Sequence, residues 1–181
     1  MSENRETPDP FSRHFADRLQ IMIDVELLAA DVFESSADAT IARLESPPHW
    51  ILELSLSKCK SDALVAIAGF VNVECNVALF GEARTNETVA AIYVRYLKRQ
   101  IPWTSFLRHA GKASDASDSG LHDCEYFYSL LSHYQAAHSS ASTELQQEHE
   151  ILPQYADWIK SIERTYENIE KQIPPLSSSK A

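Results

Sequence analysis

The chain is poor in glycine, and this scarcity narrows the classes of protein to which it can belong. Only 4 of its 181 residues are glycine. All-β folds and phosphate-binding loops both use glycine freely at tight turns, so the composition argues against both. Neither GxGxxG nor GxxxxGK[ST] occurs in the sequence. We therefore expect no nucleotide and no other cofactor.

Cysteine and long apolar runs are scarce as well. The three cysteines, Cys59, Cys75 and Cys124, lie far apart, and no CxxC pair occurs. A scattered, odd number of cysteines is typical of a reduced protein in the cytoplasm. The polar N-terminus lacks the pattern of a secretory signal, and polar residues interrupt the most apolar stretch, 63–80. We expect a cytoplasmic protein that neither crosses nor binds a membrane.

Charge is sorted along the chain. Residues 1–57 hold 4 Lys/Arg and 11 Asp/Glu, residues 58–112 hold 8 and 4, and residues 113–181 hold 4 and 11. A basic centre therefore lies between two acidic flanks, and the net charge is −10. Because summed charge governs association more than fold, this pattern favours a protein partner or a small anion. The negative total disfavours nucleic acid.

Apolar spacing in the first third of the chain predicts helices. One stripe runs from Phe11 to Val32 at intervals of three and four residues, which predicts a long first helix beginning near Asp9. A short helix should follow, capped by Ser36 or Asp38. Segments 50–57 and 71–79 fit a helix or a strand, and we favour helix for both. The alternative is an α+β fold with a small two-stranded element near residues 50–80.

The remaining apolar stripes also have helical spacing. Their members are Val89, Ile92, Tyr93, Tyr96 and Leu97, then Phe127, Leu130, Leu131 and Tyr134, then Tyr155, Ile159, Ile162, Tyr166, Ile169 and Ile173. The last stripe is a heptad seam. A helix in the core of the same chain explains it best, and a homodimer through the 153–173 helix is the alternative.

The polar segments complete the expected organisation. Residues 111–120 contain no large apolar residue and predict a flexible surface loop, and residues 174–181 predict a frayed C-terminal tail. We expect residues 1–181 to form a single, mostly all-α domain, with about six to eight helices in a bundle-like packing.

A basic and aromatic face is the first candidate binding site. Three cations at helical spacing are followed by a tryptophan and two further cations. Together they could bind an anionic group. Cations at the end of a helix also complement its dipole, or pair with the acidic flanks of the same chain. The six residues are Arg95, Lys98, Arg99, Trp103, Arg108 and Lys112.

A metal site is a weaker candidate. Zinc needs three or four converging ligands, and no HExxH or paired CxxC supplies them. His122 and Glu125, at i and i+3, could contribute two, with His133 and His149 brought in by folding. We favour no metal site on this pattern.

Covalent chemistry has little support. Catalytic residues cannot be assigned, and Cys124, beside His122 and Asp123, is the one cysteine with neighbours that could lower its pKa. The sequence favours a non-catalytic helical interaction or regulatory protein, such as an acidic inhibitor or immunity-like protein for a basic partner. The alternative is a metal-binding protein or enzyme that uses scattered His and Glu residues.

Overall fold

The structure, a computed structural model, describes residues 12–71, 81–116 and 120–173, and within these ranges it contains eight helices and no strand. This confirms the predicted all-α fold. In chain order the helices are α1 (Arg13–Asp24), α2 (Ala30–Ile41), α3 (His49–Ser55), α4 (Lys60–Val71), α5 (Gly81–Leu97), α6 (Trp103–Asp115), α7 (Cys124–Ala136) and α8 (Ala141–Gln172). Segment 50–57 is thus mainly helical, whereas 72–80 and the predicted 174–181 tail lie outside the described residues.

Contacts group the chain into two compact units. The first unit comprises residues 1–75 and 164–181, and the second comprises residues 76–163. Helices α1 to α4 belong to the first unit, helices α5 to α7 belong to the second, and α8 contributes residues to both. That residues 1–181 form a single domain stays a prediction.

The first unit has a mainly aliphatic core. Helix α1 packs against α4, and α3 packs against α2 and α4. Full burial of a large apolar side chain contributes about 1.5–3 kcal/mol, so this packing is the main source of the unit's stability. The most deeply buried side chains are Ala16, Met22, Ile23, Phe33, Ala63 and Ile67.

Helix α1 ends earlier than the apolar stripe predicts, so the predicted long first helix is wrong. Glu26 adopts a left-handed backbone conformation, with φ of 62°. Its N–H donates to the Ile23 carbonyl at 3.0 Å, and the Leu27 N–H donates to the Met22 carbonyl at 2.8 Å. These two bonds form a Schellman motif, which normally places glycine where Glu26 lies.

The next helix begins earlier than predicted, for the same reason. Because α1 already ends at Asp24, the following residues are available for a new helix, and α2 begins at Ala30. The predicted caps Ser36 and Asp38 therefore lie inside α2. At the start of α1 the cap is Ser12, whose Oγ accepts from the Phe15 N–H at 3.2 Å.

The predicted loop at 111–120 is partly helical. Residues 111–115 extend α6, and Gly111 and Ser114 are buried. Small side chains permit close packing here, since a Cβ atom on Gly111 would lie 2.8 Å from the Tyr128 ring. The segment lacks an apolar stripe because it packs through small residues. Residues 117–119 lie outside the described part of the chain.

Helix α8 is longer than the predicted 153–173 helix. It begins at Ala141, and Pro153 lies within it at the cost of one backbone hydrogen bond. The heptad seam is buried in the single chain at Tyr155, Ile159, Ile162, Tyr166 and Ile169. Homodimerisation through this helix stays a prediction. No helix in the described ranges has both the length and the apolar character needed to span a bilayer.

Candidate functional site

Two helices of the second unit end in unusual backbone conformations beside the same cleft. At the end of α5, Arg99 has φ of 58°, and the Gln100 N–H donates to the Arg95 carbonyl at 3.0 Å. At the end of α7, His138 and Ser139 have φ of 53° and 55°. Non-glycine residues seldom adopt this conformation, and where they do the site merits functional scrutiny.

The cleft between these helix ends has a volume of about 800 Å³. This lies within the range of roughly 300–1,000 Å³ that is usual for ligand pockets. Its walls combine aromatic rings and carboxylates, with one arginine and an apolar rim. We call it the Glu144 cleft, and its lining includes Tyr96, Leu97, Arg99, Ile101, Pro102, Trp103, Tyr134, Glu144 and Glu148.

Glu144 lies at the centre of the cleft's hydrogen bonds. Tyr96 OH donates to its Oε1 at 2.7 Å, and Tyr134 OH donates to its Oε2 at 2.9 Å. Ser140 Oγ accepts from the Thr143 N–H at 3.2 Å, which caps α8 and places Glu144 in the first turn. A carboxylate is favoured at that end of the helix dipole. Phenols from α5 and α7 therefore fix one carboxylate of α8.

Glu148 lies one turn further along α8 and faces the same cleft. Tyr93 OH donates to its Oε1 at 2.7 Å. Like charges at i and i+4 on a helix repel each other. In the part of the chain that the structure describes, no Lys or Arg forms an ion pair with either Glu144 or Glu148.

Gln147 holds the floor of the cleft in place. Trp103 Nε1–H donates to Gln147 Oε1 at 2.8 Å, and Gln147 Nε2–H donates to the Leu130 carbonyl at 2.8 Å. Both side chains are 2% exposed. The Trp103 ring also lies 5.0 Å from the Tyr96 ring and 4.8 Å from the Phe106 ring. A packed aromatic cluster therefore supports the polar groups.

The phenols of the cleft remain hydrogen-bond donors over a wide pH range. Burial, followed by the hydrogen bond to Glu144, raises the pKa of Tyr96 and of Tyr134 above its ordinary value. Burial and the hydrogen bond to Glu148 likewise raise the pKa of Tyr93. All three hydroxyls stay protonated at neutral pH and keep their carboxylate partners in fixed positions.

The six residues of the predicted basic and aromatic face lie in different environments in the structure. Arg99 and Trp103 line the Glu144 cleft, but the Trp103 ring is buried. Arg95 is half-buried, while three further cations are exposed and do not line the cleft. Those three are Lys98, Arg108 and Lys112. The six residues thus do not form one continuous exposed face.

The candidate metal ligands lie apart from a shared centre. His122 stacks on Tyr126 at 3.8 Å, and its Nε2 lies 2.9 Å from Gln154 Oε1. The other three candidates, Glu125, His133 and His149, have exposed side chains. No group of three or more His, Cys, Asp or Glu among the described residues is arranged to hold a metal ion. The metal-binding alternative gains no support from this placement.

The environment of Cys124 does not activate its thiol. Desolvation, and a hydrogen bond to Asp115, raise the pKa of Cys124. Asp123, its neighbour in sequence, caps α7 by accepting from the Tyr126 N–H at 2.9 Å. The setting that could have lowered this pKa therefore has the opposite effect.

Sequence reasoning missed the residues that define the cleft's chemistry. Glu144, Gln147 and Glu148 share one helix face at i, i+3 and i+4, directly after a serine-rich stretch, and this is the one local signal available. Their phenol partners are 10 to 55 residues away in sequence. No protein family, curated protein or solved structure matches the chain. Any functional conclusion therefore depends on the cleft's own geometry.

Proposed function

We propose that the chain is a non-catalytic cytoplasmic interaction protein that binds a basic protein partner, and that the Glu144 cleft receives a cationic group of that partner. One observation carries the proposal. Glu144 and Glu148 are fixed by three phenol donors in one cleft, with no ion-pair partner among the described residues.

A cation in this cleft would gain more than it would at an exposed carboxylate. The repulsion between Glu144 and Glu148 is relieved when positive charge lies between them. Both side chains already occupy fixed positions, so binding costs little rotamer entropy. The surrounding aromatic cluster lowers the local dielectric and strengthens the attraction.

The charge of the whole chain supports a basic partner. A net charge of −10 attracts positively charged molecules over distances limited by salt screening. Such long-range attraction raises association rates, while specific contacts in a cleft fix the orientation of the partner. This is the behaviour expected of an acidic inhibitor or immunity-like protein.

Affinity capture from a lysate of the source organism tests the proposal. The baits are the wild-type chain, the double variant Glu144→Gln/Glu148→Gln, and Glu150→Gln as a control. Glu150 also accepts from a phenol, Tyr126 OH at 3.0 Å, but it does not line the cleft. Each glutamine keeps one acceptor oxygen, and at position 144 the amide NH2 can donate to the hydroxyl of the second tyrosine, so the fold should persist.

We expect the wild-type chain and Glu150→Gln to retain the same basic protein. The double variant should bind this protein, once purified, about 10-fold more weakly or worse, since hydrogen bonds to charged groups contribute about 1.5–3 kcal/mol each. The loss should shrink as salt is added. Equal binding by all three baits, or capture of no basic protein by any, would contradict the proposal.

A further inference from the structure

We infer that the group bound by the Glu144 cleft is the primary ammonium of a lysine side chain rather than the guanidinium of an arginine. This inference rests on the proposed function and specifies its partner. The hydrogen bonds already made by Glu144 and Glu148 support it.

Glu144 is poorly suited to a guanidinium. An arginine fork donates two parallel hydrogen bonds to both oxygens of one carboxylate. Both oxygens of Glu144 already accept from phenols, Oε1 from Tyr96 and Oε2 from Tyr134. A fork would have to share both oxygens with these phenols at once, whereas a single N–H donor shares only one of them.

An ammonium fits the acceptors that remain. A lysine ammonium is a compact charge with three donors, and it needs one lone pair from each acceptor. Each Glu144 oxygen keeps lone-pair capacity beyond its phenol bond. Glu148 has one oxygen, Oε2, with no hydrogen bond within the described residues. An ammonium can therefore take one bond from each carboxylate without displacing a tyrosine.

The walls of the cleft suit the rest of a lysine side chain. Leu97, Ile101 and Pro102 line the cleft and offer apolar surface to a four-carbon stem. Tyr96 is half-buried and lines the cleft as well, and an aromatic ring close to a bound cation attracts it. Trp103, the better platform for a stacked guanidinium, is buried beneath.

Arg99 favours a lysine that belongs to a polypeptide over a free amine. It lies on the lining of the same cleft with an exposed side chain. A free polyamine carries positive charges alone, and Arg99 repels the second of them. A peptide can instead present a carbonyl or an acidic side chain to Arg99 beside its lysine.

Titration of the ¹⁵N-labelled chain, followed by NMR, tests the inference. The probes are Nα-acetyl-lysine-N-methylamide, its arginine counterpart and its Nε-acetylated form, with butylamine and spermidine as free amines. We expect the lysine derivative to bind about 5-fold or more tightly than the arginine derivative, which corresponds to about 1 kcal/mol. Acetylation should abolish binding, because it removes the charge.

Variants localise the effect. Glu148→Gln should weaken binding of the lysine derivative about 5-fold, whereas Glu150→Gln should leave it unchanged. Resonances of residues lining the cleft, Tyr96 and Ile101 among them, should shift with the lysine derivative. Unchanged spectra of the free variants elsewhere in the chain establish that the fold is intact.

The outcomes separate the inference from the proposed function. If the lysine and arginine derivatives bind with equal affinity, and Glu148→Gln loses both interactions, the preference for an ammonium is overturned. The cleft is then still a binding site for cations. If spermidine or butylamine binds more tightly than the lysine derivative, the inference that the bound ammonium belongs to a polypeptide is overturned. No binding of any probe overturns the ammonium inference, and the capture experiment then decides the proposed function independently.

Discussion

The two units treat their buried polar groups differently. In the second unit, the groups around the Glu144 cleft are paired, as in the bond from Trp103 Nε1–H to Gln147. In the first unit, Trp50 is buried and stacks on Phe70 at 5.3 Å, yet its Nε1–H has no hydrogen-bond partner among the residues that the structure describes. Buried groups without a partner within the described ranges also occur in the second unit, at Asn86 Nδ2, Ser114 Oγ and Tyr155 OH, but none of these residues lines the cleft.

Tyrosine shows the same contrast. Of the seven tyrosines, Tyr166 alone lies in the first unit. The second unit thus combines apolar packing with several bonds from phenols to carboxylates, whereas in the first unit Tyr166 makes a bond of this kind to Glu170. The second unit therefore holds most of the bonds between phenols and carboxylates, and three of them fix the two glutamates of the Glu144 cleft.

The largest expected effect is a difference in stability between the two units at alkaline pH. Burial raises the pKa of Tyr93, Tyr96 and Tyr155, and in the first unit burial and a hydrogen bond to Glu170 raise the pKa of Tyr166 to about 12. A raised pKa means that the native state disfavours the phenolate. The stabilisation is complete below the unfolded value of about 10 and is lost as pH rises through the folded values.

We therefore expect the second unit to lose structure first above about pH 10. Tyrosinate absorbance should be followed alongside methyl NMR signals of Ile67 in the first unit and Ile151 in the second. The Ile151 signal should change first and in step with absorbance. Simultaneous loss of both signals would contradict the expectation that the second unit unfolds at a lower pH than the first.

The next largest effect is expected on the free energy of unfolding, from a matched pair of tryptophan substitutions. Trp103→Phe leaves the buried Gln147 Oε1 without its donor, whereas Trp50→Phe removes a donor that has no acceptor in the described part of the chain. Both changes remove similar volume, so the difference between them isolates the hydrogen bond. Trp103→Phe should lower the free energy of unfolding by about 1–3 kcal/mol more than Trp50→Phe does. Urea unfolding of both variants measures this difference, and equal losses would show that the indole hydrogen bond contributes nothing.

Glycine substitutions at helix ends with a left-handed backbone conformation should change the free energy of unfolding least. Glu26→Gly in the first unit and Arg99→Gly in the second should each raise the free energy of unfolding by about 0.5–1 kcal/mol, because glycine adopts positive φ without a Cβ clash. For a chain of this size, such a gain raises Tm by roughly 1–4 °C. A gain at Glu26 but a loss at Arg99 would show that the Arg99 side chain stabilises the free cleft.

Helices with regular apolar stripes could be predicted from the sequence. The stripe from Val89 to Leu97 lies in α5, the stripe from Phe127 to Tyr134 lies in α7, and the seam from Tyr155 lies in α8. These succeed because a buried helix face repeats with the period of the helix itself. The extent of α6 could not be predicted, because Gly111 and Ser114 pack through their small size and produce no apolar signal.

Helix ends and the cleft were beyond this kind of reasoning for two further reasons. The Schellman motifs at Glu26, Arg99 and His138 occur without the glycine that usually marks them. The cleft depends on Tyr96, Tyr134 and Glu144, which come from three helices, and no spacing in the sequence encodes their meeting. Arg99 and Trp103 were selected for their own charge and ring, without the carboxylates that define their surroundings.

The two hydrogen bonds from phenols to one carboxylate form an arrangement that can be transferred to designed proteins. One glutamate in the first turn of a helix, with one tyrosine on each of two neighbouring helices, joins three helices through three side chains. Grafting these three residues onto an unrelated antiparallel bundle would supply interhelical ties and a positioned negative charge together. Adding a second glutamate four residues on would turn such a joint into a receptor for a positive charge.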